Sequence, residues 1–134
     1  MKFCPCGTQN RYLDCCGGII LGKFPAKSPL QLMRSRYTAH VEEKWDYIKK
    51  SMKPPASLKY DVKMAKKTSD AKSTEWVRVE VLNSTIDQHE SSKGFVEFKA
   101  YYRLNGIEHC IHEKSEFHLI DGYWYYTDGT NPES

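Results

Sequence analysis

The sequence lacks a hydrophobic segment long enough to cross a membrane. A transmembrane helix needs about 20 consecutive apolar residues, and no stretch of the 134 residues approaches that length. The first seven residues, MKFCPCG, also lack the long apolar run of a secretory signal peptide. We therefore expect a cytoplasmic protein without membrane association, in a compartment where thiols stay reduced.

The composition shows no large excess of one charge, although the charge is unevenly distributed. The formal net charge is +3. Residues 1–73 contain 15 Lys and Arg against 6 Asp and Glu, whereas residues 74–134 contain 5 against 11. Such an asymmetry can attract an acidic protein, phosphate or nucleic acid, or it can simply be a solvated face. The basic half includes Lys44, Lys49, Lys50, Lys53, Lys59, Lys63, Lys66, Lys67 and Lys72.

Four of the five cysteines form one cluster near the N-terminus, and this is the strongest signal in the sequence. Cys4 and Cys6 are followed, after eight intervening residues, by the adjacent Cys15 and Cys16. Four thiolates are a ligand set that Zn²⁺ takes in structural sites. Because the protein would fill all four coordination positions, we predict a structural zinc site rather than a catalytic one.

Two alternatives to zinc remain open. Disulfides would need an oxidising compartment, and adjacent cysteines bond to each other only with strain. A redox switch is the other alternative, since zinc thiolates can be oxidised. Lys2, Arg11 and Tyr12 are candidates to cover the sulfurs or donate hydrogen bonds to them. Cys110 stands alone in a later strand pattern, where we expect a small packed side chain.

The first half of the remaining chain reads as helical. Residues 17–27 resemble a linker, and residues 28–31 form a capping box with proline at the first helical position. A second helical stretch follows around residues 45–52 and ends before Pro54. We expect residues 53–75 to form one short strand at 58–62 and then a flexible loop.

From Glu75 onward the apolar period changes to two, which is typical of strands. Strands are predicted over residues 76–84, 95–104, 107–120 and 123–127. Asn-Gly at 105–106 and Asp-Gly at 121–122 are strong hairpin turns. Two helices followed by an antiparallel meander predict an α+β fold, with helices packed on a curved antiparallel sheet.

The long third strand carries a candidate buried charge. Alternation places Glu113 and Ser115 on one face of the strand and His112 on the other. If the first face points inward, Glu113 needs a partner, and Arg34 or Arg36 on the first helix is the natural candidate. The pair is then either an internal salt bridge or part of a polar pocket for a small molecule. Because His112 faces away from Glu113 on a regular strand, the two cannot act as an acid–base pair unless a bulge intervenes, which counts against an enzyme.

Three separate motifs carry a resemblance to a known family. The run CPCGTQNRYLDCCG resembles the SEC-C motif, named for the zinc-binding tail with which the SecA translocation motor engages the SecB chaperone. The segments LMRSRYTA, HEKSEF and GYWYYTDG are similar to those of YchJ-like proteins, small bacterial proteins with an N-terminal SEC-C motif. The resemblance implies metal binding and a cystatin-like cone fold, as in nuclear transport factor two, and no established reaction.

The sequence thus predicts a SEC-C-like zinc motif and linker over residues 1–24 and an α+β cone over residues 25–134. The function that best fits these features is a non-enzymatic, zinc-binding interaction module with an acidic protein partner. A small-molecule binder or enzyme using the cone pocket is the alternative. A nucleic-acid binder using the lysines is the third reading, although no RNA-binding aromatic motif is present.

Overall fold

A computed structural model describes residues 3–72 and 74–132, except the side chains of residues 68–72. Lys2 and the side chain of Lys72 therefore lie outside the described part. The elements are α1 (Cys16–Ile20), α2 (Pro29–Val41), α3 (Trp45–Lys50), α4 (Val62–Lys72), β1 (Glu75–Ile86), β2 (Lys93–Leu104), β3 (Ile107–Ile120) and β4 (Tyr123–Thr130), with short 3-10 turns at Tyr12–Asp14 and Ala56–Lys59.

Helix α2 is the central helix, and Ser28 caps its start as predicted, although the Gln31 side chain accepts from the Lys27 amide rather than from the Ser28 amide of a true capping box. The Ser28 side chain accepts a hydrogen bond from the Gln31 amide at 3.1 Å, and Pro29 occupies the first turn. Leu32 and Met33 are buried against Val96 and Phe117 of the sheet. This packing places one side of α2 on the inner face of the sheet.

The four strands form one antiparallel sheet in the order β1-β2-β3-β4. Both hairpin turns predicted from the sequence are present, with positive φ at Asn105 and Gly106 and at Asp121 and Gly122. The predicted α+β architecture is confirmed. No helix in residues 3–72 or 74–132 has the length and apolar character needed to span a membrane.

Two stretches differ from the sequence prediction. Residues 17–20 belong to α1 rather than to a linker. Gly17 and Gly18 are buried in this helix, where an added Cβ would clash with Tyr12 and with Phe24. The predicted strand at 58–62 is wrong: the chain forms a 3-10 turn and then α4. The reason is a cap at Asp61, whose side chain accepts a hydrogen bond from the Met64 amide at 3.2 Å.

The expectation for Cys110 was also wrong. This residue is exposed, and it lies opposite Tyr101 on β2. It lies near the turn at Asn105 and Gly106, on a part of β3 where residues 107–111 are all exposed. A packed side chain would need a second layer over that end of the strand.

Candidate metal centre and the cavity beside it

The four N-terminal cysteines, here called the cysteine cluster, converge on one point. Their Sγ atoms all lie within 4.8 Å of one another. The Cys6–Cys15 and Cys15–Cys16 separations are 3.6 and 3.9 Å. A tetrahedral site with Zn–S bonds of about 2.3 Å places sulfurs roughly 3.8 Å apart, whereas a disulfide needs about 2.05 Å. The cluster therefore fits a tetrahedral metal site and contains no disulfide.

Backbone hydrogen bonds close the loop that presents the first two cysteines. The Cys4 amide donates to the Asn10 carbonyl at 2.9 Å, and the Gly7 amide donates to the Cys4 carbonyl at 3.3 Å. Gly17 allows the chain at Cys15 and Cys16 to lie close to the Tyr12 backbone, because a Cβ at position 17 would lie only 2.7 Å from the Tyr12 carbonyl oxygen. The chain thus folds back on itself within a few residues, as a compact metal site requires.

Two hydroxyl groups and one guanidinium support the cluster. Thr8 Oγ1 lies 3.4 Å from Cys15 Sγ and 3.5 Å from Cys6 Sγ, and Thr38 Oγ1 of α2 lies 3.7 Å from Cys4 Sγ. Arg34 Nη1 donates to the Cys6 carbonyl at 2.7 Å. These contacts orient ligands in the way that outer-shell partners commonly do in metal sites. Neither threonine was predicted from the sequence, because a threonine carries no specific signal of contact with a cysteine.

The residues expected to cover the sulfurs take different places. Tyr12 packs against the cluster, and its hydroxyl donates a hydrogen bond to Glu42 Oε1 at the end of α2. Burial, and then the Glu42 carboxylate, raise the pKa of Tyr12. Arg11 is exposed and pairs with Phe3 across a short backbone bridge. Lys2 lies outside the described residues.

The electrostatics of the cluster favour a bound cation. Hydrogen bonds from Cys16 and Cys4 lower the pKa of the Cys6 thiol. Hydrogen bonds with Cys4 and Cys6, and then burial, raise the pKa of Cys16. Four neighbouring thiolates repel one another, so the sulfurs alone favour partial ionisation. A divalent metal offsets that repulsion and allows all four ligands to deprotonate.

The cluster belongs to a buried hydrophobic group that also includes parts of α2 and the sheet. Cys4, Cys6 and Cys16 are buried together with Tyr37 of α2 and Ala100 of β2. Half-buried apolar residues of β1 and β2 also pack against this group, among them Trp76, Val79 and Phe98. The division at residue 24 remains a prediction, but the two parts that it separates share buried surface.

A cavity of about 290 Å³, here called the inner cavity, lies between α2 and the inner face of the sheet. A second, outer cavity of about 530 Å³ adjoins it on the side of α4. The two share four wall residues: His40, Tyr60, Trp76 and Ile111. The inner cavity also contains three of the predicted site residues: Arg36, Glu113 and Ser115.

Arg36 and Glu113 are connected through Tyr126 rather than by a direct ion pair. The Arg36 guanidinium stacks 4.4 Å from the centre of the Tyr126 ring, and the Tyr126 hydroxyl donates to Glu113 Oε2 at 3.1 Å. The Ser115 hydroxyl donates to the same oxygen at 2.5 Å. Burial, and then the Glu113 charge, raise the pKa of Tyr126, so this hydroxyl stays protonated.

Arg36 is anchored at its other end by α3. Its Nη1 donates to the Ile48 carbonyl at 2.8 Å and to Ser51 Oγ at 2.5 Å. Burial lowers the pKa of Arg36, but an arginine remains charged at neutral pH. Of the two predicted partners, therefore, Arg36 lies in the network around Glu113, whereas Arg34 contacts the cysteine loop.

Two polar groups on the cavity wall were not foreseen from the sequence. The Tyr60 hydroxyl is buried and makes no hydrogen bond to any described residue. His40 Nδ1 lies 2.7 Å from the Arg36 carbonyl, and burial, followed by the Arg36 charge, lowers the pKa of His40 to about 4. The ring is then neutral at pH 7 and donates through Nδ1. His112 lies on the opposite face of the sheet, 2.7 Å from Glu97.

The lysines of the basic half are mostly solvated. Lys49 is the exception, because it is half-buried and its Nζ donates to the Tyr60 carbonyl at 3.1 Å. The remaining described members are exposed: Lys44, Lys50, Lys53, Lys59, Lys63, Lys66 and Lys67.

Comparison with known proteins identifies relatives of the whole chain. The chain is 38% identical over 130 residues to UPF0225 protein VP1145 of Vibrio parahaemolyticus, covering 97% of this chain and 75% of that protein. It is 40% identical over 134 residues to UPF0225 protein Shewmr4_2054 of a Shewanella species, covering 96% and 80%.

Two solved structures described as SEC-C motif proteins have the same fold. RPA3114 from Rhodopseudomonas palustris gives a TM-score of 0.85 at 33% identity, with 97% of this chain and 98% of that chain covered. A protein from Psychrobacter arcticus gives 0.82 at 29% identity, with 100% and 85% covered. Residues 28–129 match the family model for the middle, NTF2-like domain of YchJ. The chain therefore belongs to the YchJ-like family.

Proposed function

We propose that the chain binds one structural Zn²⁺ through Cys4, Cys6, Cys15 and Cys16. The observation that carries this proposal is the convergence of the four Sγ atoms to within 4.8 Å of one another. Soft thiolates in a tetrahedral arrangement favour zinc over hard cations. With four protein ligands no coordination position is left for water, so the ion would brace the fold rather than activate a substrate.

Native mass spectrometry of protein purified without added metal tests the zinc site. We expect one zinc ion per chain, lost on chelation together with protection of the four cysteines from alkylation. Cys15→Ser should lose the ion, whereas Cys110→Ser should keep it, because Cys110 is exposed and far along the chain. A metal-free chain with four protected thiols, or a mass lower by two or four protons, would contradict the proposal in favour of disulfides.

We further infer that the protein is a non-enzymatic interaction module that binds an acidic protein through its exposed lysines. These lysines lie on and around α3 and α4 and are here called the basic face: Lys44, Lys50, Lys53, Lys59, Lys63, Lys66 and Lys67. Such a field speeds association with an acidic surface. The opposite orientations of His112 and Glu113 also leave them without an acid–base pairing.

The interaction is tested with polyglutamate and an oligothymidylate as probes. We expect polyglutamate to bind more tightly, and we expect Lys59→Glu/Lys63→Glu/Lys66→Glu to abolish that binding. The matched control changes three lysines of the acidic half, Lys93, Lys99 and Lys114, to glutamate. Preferential oligothymidylate binding with a steep salt dependence would instead indicate a nucleic-acid binder. Equal effects of the two triple variants would contradict a role for this face.

A further inference from the structure

The inner cavity has the size and lining of a small-molecule site. Its volume of about 290 Å³ lies near the lower end of ordinary ligand pockets. At roughly 30 Å³ per water molecule it would hold about ten waters, or one single-ring molecule. Aromatic side chains form much of its wall, including Tyr37, Trp76, Phe98 and Phe117. Such walls favour a flat apolar ring.

The charges in the wall balance. Arg36 supplies one positive charge and Glu113 one negative charge, and Tyr126 contacts both of them. A buried charge without a partner is costly. An anionic ligand that pairs with Arg36 would also lie beside Glu113, and a cationic ligand that pairs with Glu113 would also lie beside Arg36. A neutral ligand avoids both penalties.

Both kinds of hydrogen-bonding group remain available on the wall. The buried Tyr60 hydroxyl has no acceptor among the described residues. Arg36 donates to the Ile48 carbonyl and to Ser51 from Nη1, so its Nη2 remains available to donate to a ligand. On the acceptor side, the two hydroxyl bonds of Glu113 go to Oε2, leaving Oε1. His40 donates from Nδ1 to the Arg36 carbonyl, so its Nε2 remains available to accept a hydrogen bond.

We propose that the inner cavity binds a small uncharged molecule that has a flat ring and an amide-type head. The carbonyl oxygen of the head would accept hydrogen bonds from Tyr60 and Arg36. Its N–H group would donate to Glu113 or His40. This site is independent of the zinc site and of the basic face, since none of its named polar groups belongs to either.

Three probes of nearly equal shape test the proposed charge selectivity: benzamide, benzoate and benzamidine. They differ in that benzamide is neutral, benzoate negative and benzamidine positive. In NMR titrations of the zinc-loaded protein we expect benzamide to bind with a Kd of about 1 mM, ordinary for a ligand of this size. Its shifts should centre on the Trp76 indole. The two charged probes should bind at least about tenfold more weakly.

Two variants assign the binding to the named groups. Tyr60→Phe should weaken benzamide binding about tenfold without affecting the fold, because the hydroxyl makes no hydrogen bond in the protein. Glu113→Gln should improve benzoate binding about tenfold, because it removes the negative charge from the wall. Glu97→Gln, on the opposite face of the sheet, is the matched control and should change neither affinity.

Several results would overturn the proposal. These are the absence of benzamide binding, tighter binding of benzoate or benzamidine by the unaltered protein, and shifts that lie outside the cavity. An unchanged benzamide affinity in Tyr60→Phe would also overturn the proposal. The Tyr60→Phe variant remains decisive even if Glu113→Gln fails to fold.

Discussion

Individual side chains connect the cysteine cluster to the helix that supports it. Arg34 is the clearest example, because it reaches from α2 to the Cys6 carbonyl at 2.7 Å. Hydrogen bonds that involve a charged group contribute more than neutral ones. The position of the first cysteine pair therefore depends on a residue eighteen positions beyond Cys16.

Arg34→Met should loosen the metal site while leaving the four ligands in place. Loss of a hydrogen bond from a charged donor costs about 1.5–3 kcal/mol, so zinc transfer to a competing chelator should become at least about tenfold faster. Arg78→Met serves as the control, since Arg78 makes an exposed pair with Glu108 at 3.5 Å. Equal transfer rates for the two variants would show that the Arg34 contact does not support the site.

His40 should make the stability of the fold depend on pH. Burial, and then Arg36, lower its pKa to about 4, whereas an unfolded histidine titrates near 6.5. The unfolded state therefore binds more protons between these values, and the stability present above pH 6.5 is lost as the pH falls toward 4.

Denaturant unfolding at pH 7 and pH 5 measures this effect. The unaltered protein should lose about 2 kcal/mol more than His40→Gln over that interval, the difference between the two removing contributions from other groups. The same pH dependence in both proteins would mean that His40 is not buried in its neutral form.

At the scale of elements, α4 is the helix that the sequence pattern failed to predict. The stretch from Leu58 to Val62 looked like a strand because it alternates apolar and polar residues. The structure starts a helix instead, where the Asp61 carboxylate caps the Met64 amide and the Asp61 carbonyl accepts from Ala65 at 2.9 Å. A local cap outweighed a weak alternation because five residues of alternation carry little burial.

Asp61→Ala should fray the start of α4. Loss of an N-cap costs about 1 kcal/mol, which corresponds to about fivefold faster amide exchange at Met64 and Ala65. Asp61→Ser should retain most of the protection, because a hydroxyl can accept the same hydrogen bond. If Asp61→Ala and Asp61→Ser exchange equally fast, the cap is not what holds the helix start.

At the scale of the whole molecule, the cysteine cluster and the cone share one core. Cys16 is only 1% exposed and is buried with Tyr37 and Ala100, which belong to α2 and β2. A separate N-terminal motif would lose its metal ion without any change in the sheet. The observed packing instead predicts that loss of the ion destabilises α2 and β2 as well.

Metal removal should therefore lower the thermal stability of the entire domain. We expect chelation to lower Tm and to increase amide exchange in α2 and β2, because a bound ligand stabilises the state that binds it. Cys16→Ser should cost more than Cys15→Ser, since Cys15 is half-buried and Cys16 is buried. If chelation increases amide exchange only in residues before α2, the cysteine cluster and the rest of the domain are independent parts.

The sequence was sufficient for features that depend on neighbouring residues. The spacing of Cys4, Cys6, Cys15 and Cys16 predicted the convergence of their four sulfurs, since a short loop brings nearby residues together. Period-two alternation and the two glycine turns predicted β3 and both of its hairpins, because side chains alternate along a strand. The identity of the ion, the acidic partner and the cellular compartment remain predictions.

Only the tertiary structure decided how distant residues share their roles. Arg34 and Arg36 were equivalent candidates for Glu113, yet residues two apart on a helix do not face the same side. Arg34 contacts the cysteine loop, and Arg36 lies in the cavity wall. Which arginine meets which partner depends on how α2 is rotated against the sheet, and that rotation is set by the packing of many residues far apart in the chain.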